Sequence, residues 1–140
     1  SFNPWKGKKF DYIVDDVSGI SDMVAPLSPW FDNVSCCSGI DGADLIIDII
    51  NESPEHLKPE GKFFFPVLSF SNIPKIIDQA KDVFFEVERI SHKEWIFPDG
   101  LLDHIDTLKK LKESGNIDFS EKFGLYIWYT DIYMAHLPRS

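Results

Sequence analysis

Apolar residues in this chain gather into two kinds of run. Tyr12-Ile13-Val14 is short and wholly apolar, a pattern that predicts a strand covered on both faces. Lys6-Gly7-Lys8 before it signals a turn, and the run Asp15 to Gly19 after it reads as a polar loop at the strand's C-terminal end. Pro26, Pro29 and Gly39 then break up the chain, leaving room for one short helix around Ser21 to Leu27. From Ala43 the spacing changes to that of a helix, with Leu45, Ile46, Ile49 and Ile50 on one stripe until Pro54 interrupts it. Leu57 to Gly61 closes the helix, and Lys62 to Leu68 is a second, almost continuously apolar strand. Ser71 or Asn72 caps a further helix that buries Ile73, Ile76, Ile77 and Ala80, with Pro74 tolerated in its first turn. Phe84 to Ile90 predicts a third strand, which His92 to Phe97 continues after a bulge. Leu101 to Leu111 is patterned as one amphipathic helix, and Leu125 to His136 has the β-branched and aromatic content of a long final strand.

Strands and helices alternate, which argues for an α/β domain with an open, largely parallel sheet and helices on both faces, a three-layer αβα arrangement. The 140 residues suit a single domain with a hydrophobic core. Net charge −9, from 23 acidic and 14 basic residues, changes the range of partners. A nucleic acid-binding domain usually carries a basic face, so nucleic acid is disfavoured here. Cys36 and Cys37 are adjacent and lack metal-ligand spacing, which reads as two reduced thiols in a cytoplasmic protein. No metal is expected. No apolar run is long enough for a membrane span, and no signal segment is visible.

Phe10-Asp11-Tyr12-Ile13-Val14 resembles the fourth strand of class I S-adenosylmethionine-dependent methyltransferases. Leu57-Lys58-Pro59-Glu60-Gly61-Lys62-Phe63-Phe64 resembles their turn into the fifth strand. Gly39-Ile40-Asp41-Gly42-Ala43-Asp44-Leu45 is similar to a segment of the glutamine methyltransferases that modify release factors, and Phe2-Asn3-Pro4 to the stretch after that group's third motif. The resemblance covers residues 1 to about 95 and the last strand. It implies a partial Rossmann-like sheet of strands four to seven, the last strand antiparallel between its neighbours. Pro98 to Gly124 has no counterpart and reads as an insertion.

Two departures bear on function. The family's glycine-rich loop and the acidic residue after strand two have no match here, so the resemblance implies a C-terminal half whose cofactor-binding first half belongs to a preceding segment or another subunit. The family's Asn-Pro-Pro-Tyr is replaced by Asp16-Val17-Ser18-Gly19, which tells against planar amine substrates such as glutamine or adenine.

Asp15 and Asp16 end a strand where open α/β sheets place their ligand crevice. One orients the acceptor nucleophile or takes its proton, and Asp15 with Phe2 faces the cofactor; the plainer role is strand-end capping. Ser18, Trp30 and Phe31 are candidate substrate contacts, with Ser18 also suited to capping a helix and the two rings to plugging the core. The expected function is that of an S-adenosylmethionine-dependent methyltransferase domain, inactive as these residues alone and holding its cofactor weakly or not at all. The alternative is a non-catalytic half that pairs with another chain or with itself.

Overall fold

The structure, a computed structural model, describes residues 2–16, 19–29 and 38–139. It is an α/β fold with a mixed, open sheet of five strands. Strand β1 is Phe10–Val14, β2 is Leu57–Leu68, β3 is Phe84–Ile96, β4 is Ser120–Lys122 and β5 is Leu125–Pro138. Their order is β1-β2-β5-β3, with short β4 pairing β5. β1 runs parallel to β2, while β5 lies antiparallel between β2 and β3. This order, with the final strand reversed between its neighbours, is the one expected for the sheet, and it is compatible with a Rossmann-like fold.

Helix α1, Asp44–Glu52, connects β1 to β2, and α2, Ile73–Val83, connects β2 to β3. Both bury an apolar stripe: Ile46, Ile49 and Ile50 from α1, and Ile73, Ile76 and Ala80 from α2. Successive strand residues point to opposite faces. Phe63, Phe65 and Val67 of β2 meet these helices with Ala135 of β5, and Phe63 stacks on Phe65 at 5.3 Å between ring centres. The Asn72 side chain caps α2 by accepting the Lys75 N–H at 3.2 Å, which leaves Pro74 in the first turn where its missing donor costs nothing.

A second cluster lies on the other face. Leu68 and Trp128, which alternate away from α1 and α2, pack with Phe70, Phe97, Leu101, Leu108 and Phe119. Helix α3, Asp99–Leu102, and helix α4, Ile105–Glu113, supply part of it. The helices on the two faces are offset. Over the middle of the second face, no described helix covers Tyr12, Val14, Phe64 or Ile132.

Some expectations need revision. The helix expected over Leu101–Leu111 breaks at Asp103-His104, two residues of low helix preference, and Leu102 is exposed rather than buried. Strand β4 lies inside the segment read as an insertion and forms a hairpin with β5. β2 starts at Leu57, so the expected turn at Leu57–Gly61 is a wide bulge: the register with β1 jumps from Phe10↔Leu57 to Tyr12↔Lys62. Gly61 makes the jump feasible, because a Cβ there would lie 2.9 Å from a Leu57 methyl and 3.0 Å from the carbonyl oxygen of Phe10. The largest revision concerns β1. Covered faces were expected, yet Tyr12 is 66% and Val14 74% exposed, and no described strand pairs the outer side of β1.

Candidate functional site

The β1–β2 ladder ends at Val14↔Phe64, extended by the Asp15 N–H donating to the Phe64 carbonyl at 2.9 Å. Beyond that bond the chain leaves the sheet. Asp15 is half-buried and Asp16 exposed. Pro66, with no N–H to offer a neighbouring strand, lies just past the end of β1.

Two concavities meet at this corner. The first, about 420 Å³, is lined by Phe2, Trp5, Phe10, Tyr12, Ile13, Val14, Asp15, Asp16 and Ile49. The second, about 450 Å³, runs along the bare face past Phe64, Pro66, Leu68, Thr130 and Ile132, and shares Val14, Asp15 and Asp16 with the first. Of the residues singled out from sequence, Phe2, Asp15 and Asp16 are therefore brought together at one cavity. Ser18, Trp30 and Phe31 lie outside the described residues.

Phe2 is held in place from behind. Its ring stacks on His56 at 4.6 Å, and His56 Nδ1 lies 3.1 Å from the Lys8 carbonyl oxygen. The turn Asn3–Trp5 then swings Trp5 to the rim, edge-on to Phe10 at 5.7 Å. Alternation along β1 had hidden Tyr12: a run read as apolar on both sides gives no sign that one side is open. The lining has aromatic walls and two carboxylates, with no lysine or arginine among its described residues. Such a surface suits a cationic ligand, which gains from ring faces and from negative charge.

The loops around Gly39 to Ala43 are tied together by residues that were not among the candidate site residues. Asp41 is the main knot. Its carboxylate accepts from the Ala43 N–H at 3.2 Å, from Asn72 Nδ2 at 3.3 Å and from Lys75 Nζ at 3.3 Å. Asp22 accepts from the Ser38 and Gly39 N–H groups at 3.0 and 3.2 Å. At Gly42, φ +71°, an added Cβ would lie only 2.6 Å from the Ile20–Ser21 peptide, so the loops pack this closely only with glycine there. The only signal in the sequence was the Gly39–Leu45 resemblance; its Asp and Gly act here as structural ties.

A separate charged row crosses β3 and β5. Asp131, 3% exposed, receives His92 Nδ1 at 2.5 Å and lies 3.9 Å from Arg89. Tyr129 stacks obliquely on His92 and donates to Asp118 at 2.8 Å; burial, then that hydrogen bond, raises its phenol above the ordinary range. Among the described residues no group of three or more His, Cys, Asp or Glu is placed to hold a metal, and no helix is long and apolar enough to cross a membrane. No family model, no curated protein and no solved structure matches this chain.

Proposed function

We propose that the chain is the C-terminal half of a class I methyltransferase-type domain in a cytoplasmic protein, with its ligand crevice at the Asp15–Asp16 corner. The observation that carries this reading is the strand order β1-β2-β5-β3, with β5 reversed, combined with two carboxylates at the end of β1 beside a cavity with aromatic walls. Open α/β sheets bind ligands outside the carboxyl ends of their parallel strands. S-adenosylmethionine carries a sulfonium and an ammonium group, and the cation-free, aromatic lining is chemically suited to receive them.

In this reading Phe2 and Asp15 face the cofactor, and Asp15 or Asp16 orients the acceptor and takes its proton. Ser18, Trp30 and Phe31 belong to the acceptor side. Methyl transfer is a direct displacement, so alignment is the protein's main contribution. A cofactor also needs a wall on the open side of β1, and the 140 residues alone are expected to bind it weakly or not at all.

Photo-cross-linking of radiolabelled S-adenosylmethionine to the natural full-length polypeptide tests the crevice. Label is expected on the peptide spanning Phe10 to Asp16, and its absence from that peptide sinks the assignment. Calorimetric titration of the 140-residue chain is expected to show no saturable heat; micromolar binding would show that these residues suffice and that no other half is needed.

A further inference from the structure

We propose that a trough at the other end of the sheet from the Asp15–Asp16 corner docks an acidic peptide segment of a partner protein, seated by an apolar anchor. The proposal goes beyond the methyltransferase reading and does not rest on it. Four stretches meet there: the turn Ser53–His56, the bulged start of β2, the start of β3 and the end of β5. They frame about 720 Å³, lined by Pro54, Leu57, Pro59, Phe85, Leu137 and Pro138. Lys9 and Lys58 complete the lining.

The shape favours an extended chain. Phe85 is 63% exposed, and Leu137 is held at φ +58°, a conformation costly for a bulky residue. Backbone strain of this kind gathers at functional sites. Three prolines fix the walls, so little conformational freedom is lost when a ligand is seated. None of the three has an N–H, so a visiting chain is held by side chains rather than by adding a strand along them. Lys9, Lys58, Pro59 and Phe85 are all exposed, which leaves the trough open. Sites for small molecules bury most of their ligand, and this one would leave much of it in water.

The charges decide which peptide. The chain carries a net −9, and the cavities at the corner are lined by carboxylates with no lysine or arginine. The described lining of the trough is the reverse, with two lysines and no acid. Glu60 and Glu86, next in sequence to Pro59 and Phe85, approach the ring nitrogens of His136 at 3.7 and 3.2 Å instead. Lys9 gives one of its three N–H groups to the Glu55 carbonyl oxygen at 3.2 Å, a neutral acceptor that leaves its charge in place. Lys58 pairs with Asp11 at 3.1 Å, but both side chains are more than half exposed, and such a surface pair costs little to exchange. Arg139 stands behind Phe85, its guanidinium 4.2 Å from the ring centre and its Nε donating to the Lys81 carbonyl oxygen. An acidic segment with one apolar side chain therefore meets an apolar floor and a cationic rim, the usual anatomy of a protein interface. A nucleic acid fits less well, because its run of phosphates would meet the chain's excess negative charge.

Short random peptides displayed on phage and selected on the intact chain are expected to converge on a Leu, Phe or Trp flanked by Asp and Glu. A fluorescein-labelled peptide of the selected sequence is then titrated by fluorescence anisotropy. Lys9→Glu/Lys58→Glu and Phe85→Ala are each expected to weaken binding by about tenfold or more. Thermal unfolding should barely move, since all three side chains are exposed. Lys93→Glu, near the far end of β3, is expected to leave binding unchanged. No enrichment, selected peptides without acidic residues, or binding indifferent to both trough variants would overturn the proposal. So would single-stranded DNA that binds the trough more tightly than the peptide, which would make the occupant a polyanion. Light scattering that shows a dimer lost in Lys9→Glu/Lys58→Glu would overturn it too, by giving the trough to a second copy of the chain.

Discussion

Among the described strands, β1 and β3 lie at the two ends of the main sheet order, and they differ in length and in charge. β3 runs from Phe84 to Ile96, and Glu86, Glu88, Arg89, Lys93 and Glu94 are all exposed along it, interspersed with exposed Phe85, Ile90 and Ile96. Its register with β5 slips between Arg89 and Ser91, a bulge that disrupts a flat pairing surface. Charge and bulges are the ordinary defences of an edge strand. β1 is less than half as long, has one charge within it, Asp11, and presents Tyr12 and Val14 to solvent. The undefended edge also carries both concavities and both candidate carboxylates. The β3 edge is guarded by charge and by its bulge, whereas β1 has the composition of an interior strand.

Gly61→Val should break the comparison most severely. A side chain there meets Leu57, the Lys58 carbonyl oxygen and the Phe10 carbonyl oxygen at 2.9 to 3.0 Å, two of them backbone atoms with little freedom to move. Overpacking of this kind costs about 1–3 kcal/mol. The loss falls on the β1–β2 junction, so the β1 edge should loosen while β3 is undisturbed. Denaturant unfolding gives the total cost, and hydrogen exchange should show lost protection confined to β1 and the start of β2. Uniform loss across the sheet would argue against a locally attached edge.

His92→Ala attacks the opposite side. The buried Asp131 carboxylate would keep only Arg89, 3.9 Å away. Leaving a buried acceptor without its main donor costs about 1–3 kcal/mol. Here β3 should loosen against β5 while β1 keeps its protection and its ligand or partner properties. His92→Gln, which retains a donor, should recover part of the loss in the same unfolding measurement. A large change at the β1 edge would mean that the two sides are coupled more tightly than their separate contacts suggest.

Much of this layout was legible in the sequence because the signals were local. Asn72 followed by Pro74 and the apolar stripe of α2 specify a capped helix, and the alternation of strands and helices specifies the class. The cavity at the corner was legible in part: Phe2, Asp15 and Asp16 do share it. What stayed hidden depends on neighbours. An apolar triplet such as Tyr12-Ile13-Val14 looks the same whether its outer side is covered or open, since alternation is informative only when one face is polar. Asp41 offered no periodicity either, because its three partners come from its own loop and from α2. His92 and Asp131 are 39 positions apart and meet only through the β3–β5 register.

The smallest effect on stability carries the sharpest information. Tyr12→Lys gives β1 the kind of residue that protects β3. Tyr12 is 66% exposed, and surface substitutions of this sort usually change stability by about 0.5 kcal/mol or less. Thermal unfolding should therefore barely move, while any strand added to the outer side of β1 should bind more weakly, because a charge now stands in the middle of that edge. The converse exchange is Glu88→Val with Lys93→Val, which strips charge from the β3 edge at two exposed positions. If charge is what keeps that edge solitary, the variant should gain association through β3 even when combined with Tyr12→Lys. If it stays monomeric, the bulge between Arg89 and Ser91 is the stronger defence, and the contrast between the two edges is one of shape more than of charge.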